Sequence, residues 1–120
     1  IICWGAMVQK SIEAVQEISA SDNIIEIIDI RTLNPIDYDT IKDSISKTGK
    51  VLVVYEDNLT NGPGAELCSV IADRYFEYLD GPVKRVASKD SPVPYNWFLE
   101  DDVLVQVKDI SNGIKELLEY

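Results

Sequence analysis

Apolar residues in this chain follow three patterns, and the changes from one to another predict its secondary structure. Short apolar runs are typical of strands that are buried on both faces. An alternating run instead predicts a less buried strand nearer a sheet edge. The short runs predict three buried strands, at Ile1–Trp4, Ile24–Ile30 and Val51–Tyr55. The alternating run predicts a fourth strand at Val83–Ala87.

Apolar residues spaced by three or four positions predict amphipathic helices between and after these strands. A first helix is predicted over Met7–Ser19, followed by a turn at 21–23. A second is expected to begin near Asp37, whose carboxylate can cap free N–H groups, and to end at Gly49.

Two further helices complete the pattern. One begins at Ala65 and is expected to bury Leu67, Val70, Ile71 and Tyr75. The last one carries its apolar face on Val107, Ile110, Ile114 and Leu117. The intervening segment Lys89–Asp102 is predicted to be a loop, with its P-x-P run and aromatics forming a stiff arm packed on the domain or on a neighbouring subunit.

Strands that alternate with helices predict an α/β fold with a mostly parallel sheet of four strands. Right-handed crossovers place helices on both faces of such a sheet. A length of 120 residues corresponds to one domain. Because the chain starts at Ile1, inside an apparent strand and without an initiator Met, we expect it to be truncated at its N-terminus.

Composition excludes several classes of function. The chain has 21 acidic and 11 basic residues, a formal charge of -10, so nucleic acid and anionic membranes are not expected partners. No apolar run reaches membrane-spanning length, and from the low cysteine content we expect a cytoplasmic protein with reduced thiols. Histidine is absent, which removes imidazole acid–base catalysis and His-dependent metal sites. Cys3 and Cys68 look like small core residues, although the sequence leaves a disulfide between them open.

The strand–turn–helix from Val51 to Leu67 is the most suggestive motif. Its Gly62-Pro63-Gly64 turn resembles a phosphate cradle, but no third glycine or lysine follows, and Glu56 and Glu66 would repel an anion. Glycines that permit close packing are the favoured interpretation.

Arg31, just beyond the second strand, could also bind an anion. Pairing of its guanidinium with Asp29 or Glu56 is favoured instead.

Three segments together resemble a known family. Asp29–Asp37, D-I-R-T-L-N-P-I-D, is similar to the D-L-R-T-L-x-P-x-D run of the thiamine-dependent transketolase-like C-terminal domain. Glu56–Glu66 resembles that family's acid, Gly-rich turn and G-A-E helix start. Tyr78–Val83 and Asp90–Tyr95 are similar to the beta subunit of the decarboxylating component of 2-oxo acid dehydrogenase complexes, of the pyruvate or branched-chain type.

The resemblance implies a three-layer α/β/α domain, with a fifth, antiparallel strand and a pyrimidine-binding domain upstream of the chain. It implies a parent enzyme that oxidatively decarboxylates a 2-oxo acid with thiamine diphosphate and magnesium. The family's C-terminal domain serves assembly with an alpha subunit and a second beta subunit, so no catalytic, cofactor or metal residue is expected here.

The resemblance also implies a docking site. In related subunits, an acid in the L-[DE]-x-P turn and the terminal carboxylate face a basic subunit-binding domain of the acyltransferase core. The matching residues are Asp80 and Tyr120, and their separation suggests a natural chain end at Tyr120. The alternative for Asp80 is that it only shapes the turn before Pro82.

Other functions stay open at this point. Tyr55 stands where several relatives carry His or another acid, and Glu56–Asn58 with the Gly-rich turn also resembles deoxyxylulose-phosphate synthase. A free-standing phosphate- or nucleotide-binding module and a regulatory domain that only oligomerises are the remaining alternatives.

Overall fold

A computed structural model describes residues 1–18 and 25–120 of the chain. Four parallel strands form one sheet in the order β2-β1-β3-β4. The strands are β1 Ile2–Cys3, β2 Ile28–Asp29, β3 Val51–Asn58 and β4 Val83–Ser88. The helices are α1 Ala6–Ile18, α2 Tyr38–Thr48, α3 Pro63–Arg74, α4 Trp97–Val103 and α5 Val107–Leu118, with a 3-10 turn at Phe76–Tyr78.

The sheet separates two hydrophobic cores, and β3 contributes to both. Successive side chains of a strand point to opposite faces. Val51, Val53 and Tyr55 therefore pack with α2 and α3, while Leu52 and Val54 pack with α1 and α5. All five are at most 2% exposed, which confirms the prediction of a strand covered on both sides. The α/β class and the parallel sheet are likewise confirmed.

The second strand is shorter and less covered than its sequence predicts. Within the expected Ile24–Ile30, only Ile28 and Asp29 pair as strand, and Ile24 lies outside the described residues. Its neighbour β1 is itself two residues long, so the ladder has two pairs. The prediction of burial on both faces was wrong for β2, where Ile28 is half-buried and Asp29 exposed, because β2 is last in the described sheet order.

The predicted start of the first helix, to within one residue, and both predicted limits of the second helix agree with the structure. Helix α1 spans Ala6–Ile18, and the expected end at Ser19 and the turn at 21–23 lie outside the described residues. Asp37 caps α2, with Oδ1 accepting from the Thr40 N–H at 3.0 Å and Oδ2 from the Thr40 hydroxyl at 2.7 Å. Gly49 ends the helix in the left-handed region, with φ +66°.

The loop predicted over Lys89–Asp102 is only partly a loop. Its second half is helix α4, which begins after Asn96, whose side-chain oxygen accepts from the Phe98 N–H at 3.0 Å. Asn is a preferred N-cap residue, so Asn96 marks this helix start in the sequence, directly after the proline-rich run. The prediction of a loop was therefore wrong for Trp97–Asp102.

The two cysteines are free and lie on opposite faces of the sheet. Cys3 packs with α1 and α5, whereas Cys68 packs on the side of α2 and α3. Burial raises the pKa of the Cys68 thiol to about 11. None of the helices in the described ranges is both long and apolar enough to cross a membrane.

We expect Asp37→Ala to lower the melting temperature at neutral pH because it removes the cap of α2. The hydrogen bonds from Thr40 lower the pKa of Asp37, so the cap stabilises the fold above the unfolded-state pKa of about 3.9 and is lost as pH falls through the folded value. Thermal melts from pH 7 to pH 2.5 should show the gap between wild type and variant closing at low pH. Asp43→Ala, an exposed acid in the same helix, is the control.

Candidate functional site

The Gly-rich motif follows β3 at the carboxyl edge of the sheet, where sites form in open α/β folds. Glu56 is exposed at the end of the strand, and Glu66 is exposed in the first turn of α3. Gly62 is the N-cap residue of α3, and Pro63 begins the helix. In the described part of the chain, no cluster of three acids or cysteines is arranged to hold a metal ion.

The two glycines of the motif make room for the ring of Tyr55. A Cβ atom on Gly64 would lie 2.1 Å from Tyr55 Cε1, and one on Gly62 would lie 2.4 Å from the Asn58 carbonyl oxygen and 2.8 Å from Tyr55 Cε2. Neither glycine has a positive φ, so space and not backbone conformation excludes a side chain. The geometry supports close packing as the role of the motif glycines.

Tyr55 is fully buried and is held on both sides. Its ring stacks on Trp4 with centroids 5.6 Å apart and an interplanar angle of 12°. Arg85 Nη1 donates to the Leu59 carbonyl oxygen at 2.7 Å and lies 3.4 Å from the Tyr55 hydroxyl. Burial raises the pKa of Tyr55, so the hydroxyl stays protonated near neutral pH.

A second polar contact joins the loops that follow β3 and β4. The Thr60 N–H and hydroxyl donate to the two carboxylate oxygens of Asp90, at 2.8 and 2.5 Å. These bonds lower the pKa of Asp90, with the contact to the hydroxyl as the largest cause. No local pattern indicates these contacts of Arg85 and Asp90, because their partners are 26 to 30 residues away along the chain.

Arg31 pairs with Asp29, one of the two acids expected. The Nε–Oδ2 distance is 3.4 Å, and 87% of the Arg31 side chain is exposed. An exposed ion pair of this kind contributes little to stability. One donor of the guanidinium is thereby engaged by an acid of the same chain, as favoured from the sequence.

The docking candidates Asp80 and Tyr120 lie at the opposite, amino edge of the sheet. The Asp80 N–H donates to the Gly49 carbonyl oxygen at 2.7 Å, and a Cβ on Gly49 would lie 2.2 Å from Asp80 Oδ2. Tyr120 is 69% exposed, and its Cβ lies 3.6 Å from the position of a Cβ on Gly81. The fold therefore brings the turn and the end of the chain together.

The charge around this pair is mainly acidic. Glu116, Glu119 and Tyr120 line one hollow with Lys84. The Lys84 ammonium is engaged by Glu116 in an ion pair. The exposed carboxylates of Asp80 and Glu119 stay available to a basic surface.

Comparison with known proteins places the fold and the family. Residues 1–110 match the family described as "Transketolase, C-terminal domain". A solved structure titled "Split gene transketolase, inactive beta4 tetramer" superposes with a TM-score of 0.79 over 98% of this chain, at 23% identity. That similarity shows the fold alone, and it covers 37% of the solved chain.

Curated relatives are similar over the full length of this chain. The pyruvate dehydrogenase E1 component subunit beta of Staphylococcus epidermidis is 38% identical over 120 residues, and that of Staphylococcus aureus is 39% identical. The Rickettsia bellii subunit is 38% identical over 118 residues. The chain spans only about 37% of the length of the two Staphylococcus proteins and 36% of the Rickettsia protein.

We expect Gly64→Ala to lower the free energy of unfolding by roughly 1–3 kcal/mol, because the new methyl group would overlap the Tyr55 ring. Helix propensity alone predicts the opposite sign, a gain of up to about 1 kcal/mol. Urea denaturation would measure the difference.

Gly81→Ala is the matched control, since its Cβ would meet Tyr120 at an ordinary 3.6 Å. Equal stability of the two variants would contradict the packing role of Gly64.

Proposed function

This chain belongs to the family of transketolase C-terminal domains, and on that premise we propose that it is the assembly and docking domain of a pyruvate dehydrogenase beta subunit. The observation that carries the proposal is the 38–39% identity to such beta subunits across all 120 residues. In the proposed parent enzyme, other domains hold thiamine diphosphate and magnesium and perform the oxidative decarboxylation. The domain described here would then act by holding subunits together.

The chemistry of the described residues is in keeping with a role in assembly that involves no catalysis. A thiamine diphosphate site needs clustered oxygen ligands for magnesium, and the described residues contain no group of three acids or cysteines placed to hold a metal ion. The acids Glu56 and Glu66 face solvent separately, and the Tyr55 ring fills the space beside Gly62 and Gly64. We therefore assign no catalytic step to this chain.

Two kinds of partner follow from the proposal. The beta subunit would assemble with an alpha subunit and a second beta subunit in the cytoplasm. The acidic amino edge around Asp80 and Tyr120 would receive the basic subunit-binding domain of the acyltransferase core. Complementary charge of this kind speeds encounter more than it adds affinity.

The other candidate functions have less support. A deoxyxylulose-phosphate synthase shares the transketolase-like domain, but the curated relatives compared above are pyruvate dehydrogenase subunits. A phosphate-binding module would require anion donors at the motif loop, where Glu56 and Asp57 are exposed instead. A domain that only oligomerises would show no dependence on Asp80.

We expect the 120-residue chain to give no binding heat when it is titrated with thiamine diphosphate and Mg²⁺ in a calorimeter. The complete polypeptide that carries this chain, co-expressed with its alpha subunit, should bind the cofactor and decarboxylate pyruvate with an artificial electron acceptor. Micromolar binding by the 120 residues alone would contradict the proposal.

We expect Asp80→Asn in the assembled enzyme to slow association with the acyltransferase's basic domain by roughly two- to fivefold at about 50 mM salt. Asparagine keeps the N–H bond to Gly49, so the turn is preserved while the charge is lost. Biolayer interferometry at low and at about 500 mM salt would measure the effect, which should vanish at high salt.

Asp57→Asn removes an exposed charge at the opposite edge and is the control. An unchanged association rate for Asp80→Asn would leave Asp80 with its turn-shaping role only.

A further inference from the structure

The chain contains the dipeptide Asn-Gly twice, at Asn61-Gly62 and at Asn112-Gly113. In such a pair the backbone nitrogen of the glycine can attack the side-chain amide of the asparagine, because glycine has no side chain to hinder the approach. Asparagine is for this reason a chemically labile residue. The local structure decides whether the attack occurs in a folded protein, and the two pairs lie in different surroundings.

The first pair lies in the loop between β3 and α3, with the Asn61 side chain exposed. Side-chain hydrogen bonds of this loop are made by its neighbours, such as Thr60 with Asp90, and among the described residues none involves the Asn61 amide. Gly62 accepts from the Ala65 N–H at 2.9 Å, while its own N–H has no acceptor in the described part of the chain. The attacking nitrogen and its target are therefore both unengaged.

The second pair lies inside helix α5. A residue in a helix donates its N–H to the carbonyl oxygen four positions earlier, so the Gly113 nitrogen is held by Asp109. A Cβ on Gly113 would lie 2.9 Å from Val86 Cγ2 and 3.2 Å from Leu52 Cδ1, which shows how closely the helix packs on the sheet. Attack on Asn112 would require local opening of α5, which costs free energy.

The fold favours an Asn-Gly sequence in the loop. Residue 61 has φ +60°, a conformation that asparagine tolerates better than most residues. Residue 62 has no space for a side chain, since a Cβ there would lie 2.4 Å from the Asn58 carbonyl oxygen. The turn and the packing around Tyr55 thus place a labile amide next to the glycine that can attack it.

We propose that Asn61 is a site of spontaneous deamidation that destabilises this domain as it ages. The Gly62 nitrogen loses its proton and bonds to the Asn61 Cγ atom, and the side-chain nitrogen leaves as ammonia, which forms a cyclic imide. Water then opens the imide at either carbonyl and gives aspartate or isoaspartate, so the only co-reactant is water. The inference depends on the fold and is independent of the proposed function.

Isoaspartate at this position would disturb the packing around Tyr55. Its main chain runs through the side-chain carbon, which inserts an extra methylene group before Gly62. Gly62 has no room to shift, because it lies against the Asn58 carbonyl oxygen and the Tyr55 ring. Either product also adds a negative charge to a loop region that already carries the exposed acids Asp57 and Asp90. The modified domain should therefore be less stable.

The test uses the complete polypeptide that carries this chain, incubated at physiological temperature and mildly alkaline pH. Isoaspartate is labelled by an isoaspartyl methyltransferase and located by peptide mass mapping. Label at Asn61 should exceed label at Asn112 by about tenfold or more, since only the second site needs a helix to open. In concentrated urea, where neither structure persists, the two sites should be labelled to a similar extent.

Two variants connect the label to stability. Asn61→Gly removes the amide and keeps a residue suited to positive φ, and Asn112→Ala at an exposed position of α5 is the matched control. Label in the folded protein should be lost in the first variant and unchanged in the second. During incubation, the melting temperature should fall for wild type and for Asn112→Ala and stay constant for Asn61→Gly.

Equal labelling of the two folded sites, or labelling of Asn61 in urea alone, would overturn the proposal, because the loop would then protect its amide as well as a helix does. Labelling of Asn61 with no fall in melting temperature would overturn the predicted loss of stability. These measurements include neither cofactor binding nor partner binding, so failure of the proposed function would leave them unchanged.

Discussion

The contact between the Tyr55 ring and the backbone at Gly62 and Gly64 sets the arrangement of the sheet's carboxyl edge. Tyr55 comes from the central strand and can be buried only if α3 approaches without side chains at these two positions. Trp4 stacks on the ring of Tyr55. The Arg85 guanidinium contacts both the Leu59 carbonyl oxygen and the Tyr55 hydroxyl. Helix α3, β4 and the start of the chain are thus positioned around one aromatic side chain.

This packing explains why a motif that looks like a phosphate cradle has another role. Glycines at a helix N-terminus leave space, and in this fold the space is filled by an aromatic ring from the same domain. Thr60 then binds Asp90 and fixes the loop before α3 to the loop before α4. These hydrogen bonds connect the loops that follow β3 and β4 at the carboxyl edge.

The two edges of the sheet differ in chemistry. The amino edge gathers Asp80, Glu119 and Tyr120 around a turn that contacts the end of α2. The carboxyl edge presents Trp97 and Phe98, which stack on each other and are more than half exposed. A domain with two unlike exposed surfaces and one tightly packed centre is suited to assembly, which is the function proposed from its relatives.

Local patterns in the sequence determined the fold class, the doubly buried strand at Val51–Tyr55 and the ends of α2, because apolar spacing and capping act over a few residues. The family resemblance, too, was readable from short runs such as Asp29–Asp37. Only the tertiary structure decided that β2 is short and half-covered, since its length depends on its neighbour β1. It alone showed what fills the glycine turn, which of two acids Arg31 contacts, and that α4 leaves its aromatics exposed. Those features depend on how separate elements pack against one another, and no local pattern records that packing.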